Sequence, residues 1–258
     1  MTAVEERTSR VGRLRGLSRL DALALAAVAV ALGFAFLTPP EVNQGNVARL
    51  FYLHVPAVSV AYLAFATTLV GSAGYLVTRK MGFDHLAVAS AEVGVVFTGV
   101  AIVTGMVWAK PTWGVYWTWS ARLTLTAIML FVYVGYLALR RAIENPTARA
   151  RRSAVFGMLS VVQIPVVHFS VVWWRDIHQL GTVANPIGIQ MDGILFVAFI
   201  TGFIAFTLVG VALVRRRYLL AGLETAGWGA LDQDTGRLAG DAVAAPQLAA
   251  PMTERVRG

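Results

Sequence analysis

Four of the seven tryptophans, Trp108, Trp113, Trp117 and Trp119, fall with Tyr116 inside one stretch, WAKPTWGVYWTWSARLT, from Trp108 to Thr124. Membrane helices are commonly anchored at the interface by one or two such aromatics at each end. Five so close together, with Pro111, Gly114, Lys110 and Arg122 between them, point instead to a platform for a flat aromatic ligand. Of the four histidines, His54 and His178 are expected in loops beside the ends of apolar segments, on the same side as this stretch. A neutral imidazole in that position coordinates iron or hydrogen-bonds a carbonyl. His168 lies about three turns from His178 within an apolar segment. An ionisable group at membrane depth is a functional candidate by default. His85, beside Asp84 in a basic connection, is given no role.

Together these residue types suit haem. A porphyrin is a wide apolar disc on which aromatic faces stack, and axial imidazoles hold its iron. Its two propionates are carboxylates, which arginine forks bind in two-pronged fashion. Arg49 and Arg122 are the arginines nearest in sequence to His54 and to the tryptophans. The segment WWRDIHQLGTVANP adds Trp173 and Trp174 just ahead of His178. Glu92, within an apolar segment, is expected to pair with a cation or to stay protonated and hydrogen-bonded, with no catalytic role.

The elements that must position these side chains are membrane helices. The chain is 57% hydrophobic and 14% charged, with a mean hydropathy of +0.65. A globular chain is about 25% charged. About 20 mostly apolar residues cross the bilayer as a helix, the only open-ended form that satisfies its own backbone there. Six segments qualify: Leu20–Leu37, Pro56–Val77, Leu86–Val107, Ala121–Leu139, Ala154–Val172 and Gly193–Val214. Residues 1–37 compete as a cleaved signal peptide, but the apolar run is too long and lacks a cleavage site.

Of the 22 Lys and Arg residues, all but Arg49, Lys110, Arg122 and Arg175 lie on one side of these spans. The positive-inside rule then puts both termini in the cytoplasm and the tryptophan stretch, read as a loop, outside. The net charge of +8 is therefore a topology signal and not a nucleic-acid footprint. The expected organisation is a basic cytoplasmic segment over residues 1–19 and an all-α, six-helix membrane bundle over 20–214, followed by a cytoplasmic, largely disordered tail over 215–258. An amphipathic piece near Leu219–Trp228 is expected at the inner surface. The absence of cysteine excludes disulfides, thiolate metal sites and thioether chemistry by this chain.

Four segments carry a resemblance: QGNVARLFYLHVP (Gln44–Pro56), VTGMVWAKPTWGVYWTWSARLT (Val103–Thr124), PVVHFSVVWW (Pro165–Trp174) and DIHQ (Asp176–Gln179). Over roughly residues 20–215 the chain resembles the CcmC family of cytochrome c maturation, within the wider superfamily of Trp-rich WWD-domain membrane proteins. The resemblance implies haem b, transiently bound, with His54 and His178 as its axial ligands. It implies a platform of Trp113, Tyr116, Trp117 and Trp119 and propionate contacts from Arg49 and Arg122, with Trp173, Trp174, His168 and Ser120 as accessories. It implies a carrier, not an enzyme, in the bacterial inner membrane, holding haem on the periplasmic face. The implied partners are a CcmE-like periplasmic haem chaperone, an ABC-type complex of CcmA- and CcmB-like subunits, a small CcmD-like membrane subunit, and membrane lipid.

Two positions depart from the family pattern WWVWDARLT. Tyr116 in place of Trp keeps an aromatic face. Ser120 in place of Asp removes an anion beside Arg122 and leaves that arginine to meet a propionate directly. Two other classes compete with haem trafficking. A b-type cytochrome for electron transfer would hold haem between histidines inside the spans, where only His168 clearly lies. A porphyrin-independent transporter would use the tryptophans as an interfacial belt alone.

Overall fold

The computed structural model describes residues 16–175, 177, 178, 191 and 193–244, with side chains in the last helix through 226. Seven α-helices account for most of these residues: α1 Arg19–Leu37, α2 Phe51–Thr78, α3 Met81–Trp113, α4 Ala121–Arg141, α5 Pro146–Ser160, α6 Gln163–Trp174 and α7 Gly193–Ala244. A 3-10 turn, Asn46–Leu50, leads into α2. Six stretches are long and apolar enough to cross a membrane: α1, the turn with α2, α3, α4, the α5–α6 pair, and Gly193–Ala226 of α7. The all-α, six-span architecture expected from the apolar runs is the one observed.

Prolines explain where the spans depart from simple rods. The fifth span is two helices because Pro165 lacks the N–H that would bond the Val161 carbonyl. The chain leaves α-helical bonding at Val161 and Val162, bridged by i to i+3 bonds, and resumes at Gln163. Pro56 similarly cannot bond the Tyr52 carbonyl, yet α2 runs through it. That carbonyl faces Gly202 of α7, where a Cβ would come within 2.9 Å of it, so only glycine permits the contact.

Helices in lipid pack through small residues and interhelical hydrogen bonds. Gly71 of α2 lies so close to α3 that an added Cβ would meet the Ala87 amide nitrogen at 2.7 Å. Thr68 and Ser90 share a hydrogen bond of 2.9 Å across the same pair. Phe65 stacks on Tyr133 of α4 at 3.5 Å between ring centroids, at the centre of the apolar core. α1 packs chiefly on α7, and α4 on α6, α3 and α5.

The Arg-rich end is tied together by ion pairs. Asp84 of α3 receives both prongs of Arg140, and Asp21 of α1 receives Arg216 of α7 at 2.7 Å. Glu92 is half-buried and meets Arg217 of α7, whose Nη2 donates to Oε1 at 2.8 Å. Of its two expected states, pairing with a cation is the one found.

The described backbone is helical from Arg215 to Ala244, a stretch whose composition suggests disorder. The amphipathic piece near Leu219–Trp228 is therefore part of α7. Residues 1–15 of the expected basic segment and 245–258 of the expected tail lie outside the described residues.

Candidate functional site

His54 sits in the first turn of α2 and not in a loop, because the 3-10 turn passes directly into helix at Phe51. Its Nδ1 lies 2.9 Å from the Ala101 carbonyl and 3.2 Å from Thr104 Oγ1 on α3. The carbonyl can only accept, so Nδ1 carries the proton and donates it. Nε2 is then the basic nitrogen with an available lone pair, the tautomer that a metal-ligating imidazole needs. Room for the ring comes from Gly105, where a Cβ would stand 3.0 Å from His54 Cε1 and 3.9 Å from Nε2.

The tryptophan stretch is only partly a loop. α3 continues through Pro111 to Trp113, so Trp108 and Trp113 are helical and only residues 114–120 are irregular. Pro111 is tolerated because the helix ends within one turn of it. Gly114 closes that end with φ +80, donating its amide to the Lys110 carbonyl at 2.9 Å, in the left-handed geometry that favours glycine. Trp108 Nε1 donates to Gln44 Oε1 at 2.7 Å, pinning the first connection to α3. Its ring stands edge-on to His54 at 5.9 Å and to Phe51 at 6.2 Å.

The remaining aromatics form an open surface. Trp113 is edge-on to His178 at 4.9 Å, and Trp117 to Trp119 at 5.7 Å. Trp119 is 80% exposed and Tyr116 56%, with Lys110 Nζ 5.4 Å over the Tyr116 ring. Ser120 is the N-cap of α4, in extended backbone, but its side chain makes no capping bond. Trp117 Nε1, Thr118 Oγ1 and Ser120 Oγ are buried without a hydrogen-bond partner among the described residues. Three such donors in one short segment are costly unless a polar partner arrives.

The arginines frame this surface. Arg122 Nη2 donates to the His168 carbonyl at 2.8 Å, joining α4 to α6. Arg49 Nη2 donates to the Thr38 carbonyl at 3.0 Å, while its Nε has no partner among the described residues. His178 and Arg122 both lie within electrostatic reach of His54, and Arg122 also within reach of Tyr62. The His168 ring is edge-on to Tyr62 at 6.3 Å and to Phe169 at 5.0 Å. Trp173 and Trp174 are exposed, in ring contact with Phe169 and each other. Asp176 and Gln179 lie outside the described residues.

The fold thus gathers His54, Trp108, Trp113, His178 and Arg122 at one end, with aromatic edges, forked cations and orphan donors. Among the described residues no three His, Cys, Asp or Glu side chains converge. A disc with an iron at its centre and carboxylates at its edge fits that donor set. The motif reading missed Ala101, Thr104 and Gly105. Their signal was available: with Trp108 they recur at i, i+3, i+4 and i+7, one face of α3.

The profile of the family described as "Heme exporter protein C" matches residues 6–225. The Heme exporter protein C of Bradyrhizobium diazoefficiens is 35% identical over 199 residues, covering 77% of this chain and 76% of that protein. That of Escherichia coli strain K12 is 41% identical over 166 residues, 62% of this chain and 67% of that protein. That of Paracoccus denitrificans is 32% identical over 207 residues, 77% and 86% of the two chains. A match that spans both tryptophan-bearing connections and all six spans is a match to the whole membrane domain, and the chain belongs to the Heme exporter protein C family.

Proposed function

We propose that this chain is a haem-trafficking carrier of cytochrome c biogenesis that binds haem b transiently at its Trp-rich end. His54 Nε2 and His178 are the axial ligands. Trp113, Tyr116, Trp117 and Trp119 shield the disc, and Arg49 and Arg122 receive the propionates. Trp173, Trp174, His168 and Ser120 complete the surroundings. The observation that carries this reading is the His54 tautomer: Nδ1 is committed to the Ala101 carbonyl, which leaves Nε2 as the ligating nitrogen.

Bound haem supplies an iron that accepts two imidazoles, and the chain's own residues orient and retain it. Exposed aromatics on the outer side suit a cargo that must leave again. The receiver in this reading is a CcmE-like periplasmic chaperone. The relatives' name, heme exporter, further supports an ABC-type complex with CcmA-, CcmB- and CcmD-like subunits in the inner membrane. The chain acts there as a carrier, with the Arg-rich end cytoplasmic and the Trp-rich end periplasmic.

The test is haem content of the purified protein by its Soret absorbance. His54→Ala combined with His178→Ala is expected to abolish it, and an unchanged spectrum would defeat the ligand assignment. Deletion of the gene is expected to remove holocytochrome c while sparing b-type cytochromes.

A further inference from the structure

A groove of about 430 Å³ lies between α2, α3 and α7, toward the Arg-rich end of the bundle. Leu63 and Thr67 of α2, Val93 of α3 and Gly210 of α7 line it, with Arg215 and Tyr218 at its polar end. At Gly210 the helices nearly touch, since a Cβ there would meet Val60 Cγ1 at 2.7 Å. From Thr207 to Tyr218, the first and last α7 residues in the lining, the helix advances about 16 Å. One leaflet of hydrocarbon is about 15 Å deep.

The lining is apolar over most of that length, and Leu63 and Val211 are half exposed, so the groove opens on the lipid-facing surface, where one acyl chain can lie along it.

The polar end selects the headgroup. Three consecutive arginines mark it, and two are committed: Arg216 to Asp21 and Arg217 to Glu92. Arg215 meets no carboxylate among the described residues and is exposed where the groove opens. Tyr218 stands beside it, its ring edge-on to His85 at 6.0 Å. Its hydroxyl lies over Gly82 in the first turn of α3, 3.2 Å from where a Cβ would be.

We propose that this groove is a lipid site: one acyl chain of an anionic phospholipid from the Arg-rich leaflet lies along it, and Arg215 and Tyr218 Oη hold the phosphate. The site is separate from the Trp-rich end and does not depend on haem.

Native mass spectrometry of the full chain with added phosphatidylglycerol or phosphatidylcholine tests it. One phosphatidylglycerol is expected to be retained in preference to phosphatidylcholine. Arg215→Gln should weaken that retention roughly fivefold, the effect of one cation at an anionic headgroup, while Arg215→Lys keeps most of it. Leu63→Trp, which fills the groove from an exposed position, should expel the lipid with helical circular dichroism unchanged. Equal retention of both lipids, an unaltered preference in Arg215→Gln, or phosphatidylglycerol still held by Leu63→Trp would each overturn the proposal. So would a co-purifying polypeptide lost from Leu63→Trp while lipid retention persists.

Discussion

Arg140 of α4 grips Asp84 of α3 in a two-pronged ion pair, Nη1 to Oδ1 at 2.6 Å and Nη2 to Oδ2 at 2.8 Å, with side chains 8% and 3% exposed. Its guanidinium also lies 5.9 Å over the Tyr136 ring. Removing one partner leaves the other charge buried, at a cost of about 3–5 kcal/mol. Arg140→Leu alone should therefore lower the melting temperature in detergent sharply. Arg140→Leu with Asp84→Asn should recover much of the loss. Additive losses in the double variant would show that the pair contributes more than mutual neutralisation.

Gly105→Ala should crowd His54 and leave the bundle intact. The new methyl lies 3.0 Å from Cε1, a contact that the ring relieves by swinging away from the Ala101 carbonyl. Haem content should fall with little change in helical content or melting temperature. Full haem loading in this variant would show that the Ala101 anchor does not set the ligating geometry.

Arg122→Lys should weaken haem retention while preserving charge. Arg122 Nη2 donates to the His168 carbonyl; lysine, a point charge, could not hold that carbonyl and a propionate together as the planar fork would on the proposed reading. Losing one hydrogen bond to a charged group costs about 1.5–3 kcal/mol, so haem should dissociate roughly tenfold faster or more. The rate is read by transfer to an excess of apomyoglobin. An unchanged rate would remove Arg122 from the propionate site.

Ser120→Asp should act in two directions at once. A carboxylate at the N-cap of α4 accepts first-turn amides that the serine side chain leaves unbonded, adding about 0.5–1 kcal/mol. The same anion competes with propionates for Arg122. A higher melting temperature with weaker haem retention is the expected pair of results. Unchanged retention would separate Ser120 from the haem site.

The six spans were legible because each is an unbroken apolar run of membrane length, and because few charges interrupt them. The helix ends were not legible. His54, Trp108 and Trp113 belong to helices that continue into polar, aromatic sequence at the interface, where hydropathy falls while backbone hydrogen bonding persists. Pro56 looked like the start of α2, but Gly202 across the bundle accommodates the carbonyl it strands. Among the residues singled out, His54, Trp113, His178 and Arg122 come together in space, whereas Trp173 and Trp174 are exposed, with Trp173 in ring contact with Phe169 and Trp174. The spacing of Ala101, Thr104, Gly105 and Trp108 marks one face of α3, but not that the Ala101 carbonyl on it is the acceptor facing His54.

Arg216 and Arg217 are neighbours in sequence and so point about 100° apart around α7. One reaches Asp21 on α1 and the other Glu92 on α3. A helix held on two sides by adjacent residues can neither roll nor slide by one position without releasing both grips. These two arginines therefore key α7 to a single angular setting, as two teeth fix a gear. That setting is what presents Gly202 to the Tyr52 carbonyl some four turns away, two residues before His54.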